Sequence, residues 1–285
     1  AEFPAAARWD AKLALQYQRR EGRTVLARRE HCGPLRVQRD LYPEGVATCH
    51  TIIVHPPGGI AGGDALAIEA SLEAGNAALL TTPGAGKWYR SSGPMARQSL
   101  QFEVGAGAVL EWLPQETIVF DGALGETAAT VRLAGDGVYM GWDITCFGRA
   151  ASGERYASGN WRTRTELLRD GHRLWLEQGR IAGSDALFDS PVGLAGHGVC
   201  GTLLAAAPLW NGYDGAEAAV LLAACRAVPT GEGSLSGITR LPGLMVARWL
   251  GDDAEDARRY FTALWMLLRP ALKRSAATPP RIWAT

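Results

Sequence analysis

Three stretches of this chain read as copies of one another: S-L-E-A-G-N-A-A-L-L from Ser71 to Leu80, Q-F-E-V-G-A-G-A-V-L from Gln101 to Leu110, and V-R-L-A-G-D-G-V-Y-M from Val131 to Met140. Gly75, Gly105 and Gly135 fall thirty residues apart. Each closes a strand with alternating apolar positions: Leu66, Ile68, Ala70 and Leu72; Leu100, Phe102 and Val104; Val131 and Leu133. A second apolar strand follows each glycine. Side chains alternate across a strand, so the pattern describes half-buried strands in antiparallel hairpins with glycine turns. Equal spacing predicts stacked layers, each burying its apolar face only against a neighbour. A looser fourth copy turns at Asp170-Gly171. The expected fold is mainly β, with stacked antiparallel layers of β-helix or β-sandwich type in one domain over residues 1–285.

Each copy ends in a distinctive segment after its second strand: Thr81 to Ser91, Glu111 to Gly122, Trp142 to Arg155, and Leu176 to Ile181. In a stack these four share one edge. Two helices are expected toward the C-terminus. The first, rich in Ala and Leu, starts at a capping-box-like Asp214 to Glu217 and ends near Val228-Pro229. The second opens at Asp252 and Glu255, carries Ala257, Tyr260, Phe261, Leu264, Trp265 and Leu268 as one apolar stripe, and ends at Arg269-Pro270. The glycine-rich stretch Thr230 to Gly243 between them reads as a mobile loop. The tail Pro279 to Thr285 reads as an extended surface segment.

Composition narrows the function. Lys plus Arg is 29 and Asp plus Glu is 29 in 285 residues, so the net charge is zero. That argues against a general binder of nucleic acid or anionic membrane, which draws on excess cation. The hydrophobic fraction of 47% and charged fraction of 20% suit a globular chain. The cysteines number five, none in a C-x-x-C pair, which fits free thiols in a reducing compartment. With no signal-like opening and no apolar run long enough to span a bilayer, a soluble cytoplasmic protein is expected.

Familiar catalytic motifs fail on spacing. Gly84 to Lys87 reads G-A-G-K, but Thr81 stands where a phosphate loop needs its first Gly, and Trp88 where it needs Ser or Thr. No G-x-S-x-G, H-E-x-x-H or H-x-H occurs. Cys49 and His50 are neighbours in a strand and point to opposite faces. The stretch H-P-P-G-G-I-A-G-G-D, His55 to Asp64, is more informative. Bare backbone at Gly58, Gly59, Gly62 and Gly63 permits close approach by a partner, although a tight turn alone also explains glycine there. Asp64, Glu69, Glu111, Asp143 and Glu177 fall on strand ends or the loop edge. Glu111 and Glu177 occupy equivalent places in their copies. Carboxylates lining a polar passage bind a divalent cation weakly and release it; a solvated edge is the simpler reading.

A longer set of strings carries a resemblance. G-P-L-R-V-Q-R-D-L-Y-P-E-G (Gly33 to Gly45), the His55 to Asp64 stretch, L-T-T-P-G-A-G-K-W-Y-R-S (Leu80 to Ser91), L-P-Q-E-T-I-V-F-D-G-A (Leu113 to Ala123), C-F-G-R-A-A-S-G-E (Cys146 to Glu154) and the closing P-R-I-W-A-T appear in that order. Together they run from about Gly22 to the end, and the ordered set resembles the urease accessory protein UreD family, also called UreH. The resemblance implies a mainly β fold of stacked layers. It implies a non-enzymatic maturation factor that binds urease apoprotein and recruits UreF, which docks the GTPase UreG. It implies nickel in transit through an internal polar tunnel and no tightly bound cofactor. On that reading Asp64, Glu69, Asp143 and Glu177 line the nickel route, with His55 near its mouth. Gly58, Gly59, Gly62, Gly63, Lys87, Arg90 and Glu116 are candidates for the mouth or for partner contact. Two alternatives stay open: a metal-dependent hydrolase using His55 and Asp64, and a β-solenoid binding module for carbohydrate or peptide.

Overall fold

A computed structural model describes residues 9–211 and 215–284. In chain order the strands are β1 (Asp10–Arg20), β2 (Arg23–Cys32), β3 (Arg36–Val37), β4 (Thr48–Val54), β5 (Ala65–Leu72), β6 (Ala77–Thr81), β7 (Gly86–Trp88), β8 (Ala96–Val104), β9 (Val109–Trp112), β10 (Thr117–Val119), β11 (Leu124–Leu133), β12 (Val138–Phe147), β13 (Asn160–Arg169), β14 (His172–Ala182), β15 (Val199–Ala206), β16 (Leu235–Leu241) and β17 (Leu244–Gly251). The helices are α1 (Ala216–Arg226) and α2 (Ala254–Lys273). A first sheet runs β14-β13-β11-β8-β5-β1-β2. A second runs β16-β17-β15-β12-β9-β6-β4-β3, with β10 joining β12 and β7.

The stacked, mainly β architecture is the expected one, but the pairing within the stack is parallel. The two strands flanking each glycine corner belong to different sheets: β5, β8 and β11 lie parallel in the first, and β6, β9 and β12 lie parallel in the second. The corner explains why antiparallel hairpins do not form here. Four residues link the strands (Glu73 to Asn76, Gly105 to Ala108, Ala134 to Gly137), and only one in each has positive φ: Gly75 at 70°, Gly107 at 66° and Gly135 at 51°. Such a corner carries the chain across the core instead of back along itself. A two-residue turn with both central residues left-handed makes a hairpin. Asp170-Gly171, at 49° and 78°, does so between β13 and β14, and Glu21-Gly22, at 51° and 79°, between β1 and β2.

The corners stack by backbone hydrogen bonds. Gly75 N–H donates to Ala106 O at 2.9 Å, and Val138 N–H to Ala108 O at 2.8 Å. A Cβ on Gly137 would lie 2.8 Å from Gly105 O, so that contact requires glycine. The steps are unequal. Leu72 pairs with Val104, 32 residues on (104 − 72), and Val104 with Leu133, 29 on (133 − 104). Gly107, not Gly105, is therefore the counterpart of Gly75.

The main core lies between the sheets, with Leu13, Ile68, Phe102, Val131 and Leu167 facing Leu80, Leu110, Tyr139, Leu204 and Val246. A second core covers the outer face of the second sheet, where the expected stripe of α2 meets Met140, Ile144, Leu203 and Met245. Each such buried side chain contributes about 1.5–3 kcal/mol.

Local expectations fare unevenly. Asp253, one residue past the expected opening, caps α2 by accepting from Glu255 N–H at 2.7 Å and Asp256 N–H at 3.2 Å. The helix does not stop at Pro270. It runs to Lys273 and closes on Arg274 in the left-handed region. A proline in the last turn removes one hydrogen bond, and ion pairs of Arg269 and Lys273 hold that turn in place. Asp214 lies outside the described residues; α1 begins after Gly215 and ends at Arg226. Thr230 to Gly243 is not a mobile loop. It contains β16, hairpinned to β17 through Pro242-Gly243, where Gly243 has φ of 74°. The tail is not extended: Arg281–Ala284 form a 3-10 turn, and Trp283 packs against Trp142 and Trp265, ring centroids 5.6 and 5.9 Å apart.

Candidate functional site: a cavity between the two sheets

A cavity of about 1040 Å³ lies between the sheets. Its lining extends from Ile53 and His55, at the β4 end of the second sheet, to Leu235, Ser236 and Gly237 on β16 at the other end. Exposed lining residues occur at both limits, Gly58 and Lys87 at one and Leu235 at the other. The parallel stack produces this shape. Each layer gives one strand to each sheet, so any gap left between the sheets continues from layer to layer.

The wall carries one concentrated group of charges. Asp143 on β12, Thr202 on β15 and Arg248 on β17 are successive register partners, so their side chains share a face. Glu177 comes from β14 in the opposite sheet. Arg248 Nη2 donates to Glu177 Oε1 at 2.7 Å, and Nη1 to Thr202 Oγ1 at 3.0 Å. Asp143 is exposed to the open space of the cavity, with the two sheets on either side of it. Burial pushes its carboxyl up to about 7, the charge of Glu177 adds to this, and Arg248 opposes it. Cys200 lines the same wall, and burial, with Asp143 nearby, raises its thiol to about 12.

Near the other limit sits His55. Burial lowers its pKa, with Asp64 opposing, and its buried Nε2 has no hydrogen-bond partner. Gly58, Gly59 and Lys87 line the cavity beside it. A Cβ at Gly59 would overlap the Tyr89 ring, and one at Gly62 would overlap Ser91. Both glycines therefore let the His55 to Asp64 loop lie against the Thr81 to Ser91 loop. Ile60 N–H donates to Lys87 O at 2.7 Å across that contact.

Of the four carboxylates expected on the route, the structure brings Asp143 and Glu177 together and leaves the other two outside the lining. Asp64 accepts from Trp9 N–H at 3.0 Å and Ala61 N–H at 2.9 Å, which fixes the turn. Glu69 is on the outer face of β5, paired with Lys12 at 2.7 Å. Gly62 and Gly63 also lie off the cavity. Arg90 pairs with Asp121 at 2.7 Å, and Glu116 receives Arg258 of α2 at 3.1 Å. Three of the four expected edge segments do meet: β7 pairs with β10, and β10 pairs with β12. The fourth, Leu176 to Ile181, is part of β14.

Glu111 is not an edge residue equivalent to Glu177. It is fully buried behind the second sheet in a network the sequence reading missed. Its Oε1 receives Trp265 Nε1 at 2.6 Å and Arg269 Nε at 2.8 Å. Arg269 Nη2 forks onto both oxygens of Glu44 at 2.6 Å, and His50 Nε2 lies 2.6 Å from Glu44 Oε1. Lys273 donates to Thr48 Oγ1 at 2.6 Å. Burial works against the charge on Glu44. Hydrogen bonds from His50 and Arg269, with the charge of Lys273, hold its carboxyl down at about 2. This network fastens α2 to the sheet.

Two carboxylates, one of them already paired, with a hydroxyl and a distant imidazole do not form a closed metal cage. Comparison with known proteins agrees with the sequence resemblance. The model of the UreD urease accessory protein family matches residues 10–284. The protein named "Urease accessory protein UreD" of Azoarcus sp. (strain BH72) is 57% identical over 279 residues, covering 97% of this chain and 94% of the relative. Those of Dechloromonas aromatica (strain RCB) and Nitrosococcus oceani are 52% and 50% identical over 277 residues, covering 97% of this chain and 95% and 90% of theirs. This chain belongs to the UreD urease accessory protein family, whose members serve urease maturation.

Proposed function

We propose that this chain is a non-catalytic maturation factor that conducts nickel along the intersheet cavity to urease apoprotein. The observation that carries the reading is the cavity itself, extending from the β4 end to the β16 end with Asp143 and Glu177 in its wall. Nickel(II) accepts carboxylate, imidazole and water ligands. A few oxygen donors hold it too weakly to arrest it, whereas a full ligand set would make a resident site. His55, neutral at physiological pH and with an open Nε2, is suited to meet the ion near one mouth.

Energy for the transfer is supplied elsewhere in this reading. Gly86–Trp88 form a strand paired with β10, whereas a phosphate loop leads into a helix. Nucleotide hydrolysis in this reading falls to the GTPase UreG, docked by UreF, which this chain recruits. The proposed place of action is the cytoplasm, in keeping with its free cysteines.

The test is urease activation in cells lacking their own copy of this protein. The wild-type chain restores activity. An Asp143→Ala, Glu177→Ala double variant restores less than about a tenth of it, while urease apoprotein and UreF still co-purify with the chain. Full activity in the double variant would contradict the route.

A further inference from the structure

We propose that Arg248 is a tethered counter-cation that selects which ions enter the cavity. The inference rests on the passage reading above and assigns the specificity of that passage to one residue. Arg248 belongs to the second sheet and Glu177 to the first, so their 2.7 Å ion pair is a bar across the space between them. The guanidinium is held in place. One nitrogen is committed to Glu177, another to Thr202 Oγ1 at 3.0 Å, and the Trp175 ring lies 5.7 Å from the guanidinium carbon.

The cation position at Glu177 is thus filled by the protein itself. A metal ion that takes Glu177 Oε1 displaces the guanidinium from it. The exchange leaves the carboxylate paired throughout, beside the second carboxylate of Asp143 on the same wall. Without Arg248, Asp143 and Glu177 would be two nearby carboxylates with no counter-charge, open to any divalent cation. Magnesium is the abundant competitor. It gives up water reluctantly and so exchanges poorly with a guanidinium already hydrogen-bonded to the carboxylate. Nickel(II) stands high in the order of divalent affinities for N and O donors and can outbid the guanidinium. The same device aids release, because the Arg248–Glu177 pair re-forms as the ion leaves.

The experiment is equilibrium dialysis of the full-length protein against nickel sulfate, with and without a large excess of magnesium. Wild type binds nickel, and magnesium changes that binding little. Arg248→Met, which keeps an apolar stem against Trp175, binds nickel about tenfold tighter, equal to roughly 1.4 kcal/mol, and loses most of it to magnesium. Arg248→Lys keeps a charge but not the fork and falls between them. Nickel affinity and magnesium sensitivity in Arg248→Met equal to wild type would overturn the proposal. Two controls separate its failure from that of the passage. Glu177→Gln and Asp143→Asn each weaken nickel binding if the passage reading holds. Binding unaffected by either would overturn the passage, and the role of Arg248 with it. Should Arg248→Met fail to fold, Arg248→Lys decides: greater magnesium sensitivity than wild type supports the proposal, and equal sensitivity overturns it.

Discussion

Arg269→Met lowers the thermal midpoint by on the order of 10 °C. The substitution removes the cation between Glu111 and Glu44, both buried, and leaves Glu111 with Trp265 and a longer 3.7 Å ion pair to Lys273, and Glu44 with His50 and Lys273. Breaking a buried ion pair by deleting one partner costs about 3–5 kcal/mol, because the remaining charge stays in a poor solvent. For a chain of this size each kcal/mol moves the midpoint by about 2–4 °C. The pair is not itself a large net source of stability. A double change, Arg269→Met with Glu111→Leu, therefore recovers part of the loss. Thermal unfolding followed by circular dichroism measures both. A midpoint within about 2 °C of wild type for Arg269→Met would show that α2 is held by apolar contacts alone. Glu44 adds a pH signature. Its carboxyl is depressed to about 2 in the fold. Its contribution is thus complete above the ordinary carboxylate range and is lost as pH falls from that range through about 2.

Asp143→Asn has the opposite sign. The carboxyl of Asp143 is raised to about 7 by burial and by Glu177. Between the ordinary carboxylate range and about 7, the folded state binds a proton that the unfolded state has released. Stability from this group therefore falls as pH rises through that window and is lowest above it. Asparagine has no charge to bury. The side chain is open to the cavity, and solvent there screens the effect, so the variant is more stable than wild type at pH 8 by about 1–2 °C in thermal midpoint, and the difference nearly disappears at pH 5. A difference that is the same at both values would mean that Asp143 is freely solvated. The raised value also bears on nickel, since a proton and a metal ion compete for this carboxylate.

Much of the architecture could be read from three glycines and the alternation around them. The pairing direction could not, because a glycine corner is compatible with both a hairpin and a crossing between sheets. The number of residues in the corner was the signal that went unused: four at Glu73 to Asn76, against two at Asp170-Gly171. Asp143 and Glu177 were legible as carboxylates on strands, but nothing local distinguished them from Glu69, which alternates onto the outer face of β5, or from Asp64, which fixes a turn. Burial depends on which sheet faces which, and spacing along the chain does not specify that. The Glu44–Arg269–Glu111 network joins residues 158 and 225 positions apart, beyond any periodic pattern. Two signs of it were present: a glutamate inside the apolar run Val109 to Leu113, and an arginine four residues after Trp265 at the border of the α2 stripe. A charge that continues an apolar face calls for a buried partner.

The central claim is that nickel travels through the space between the sheets, so the most direct measurement fills that space and leaves its charges untouched. Ala129 on β11 lines the cavity and pairs with Leu100 and Thr165 on its neighbours. Ala129→Trp keeps Asp143, Glu177 and Arg248. In cells supplied with this variant, nickel bound per urease protomer, measured by elemental analysis of the purified enzyme, falls to below about a tenth of the wild-type level, while the variant chain still co-purifies with urease apoprotein. Wild-type nickel content in urease matured by a folded Ala129→Trp chain would contradict passage through the cavity.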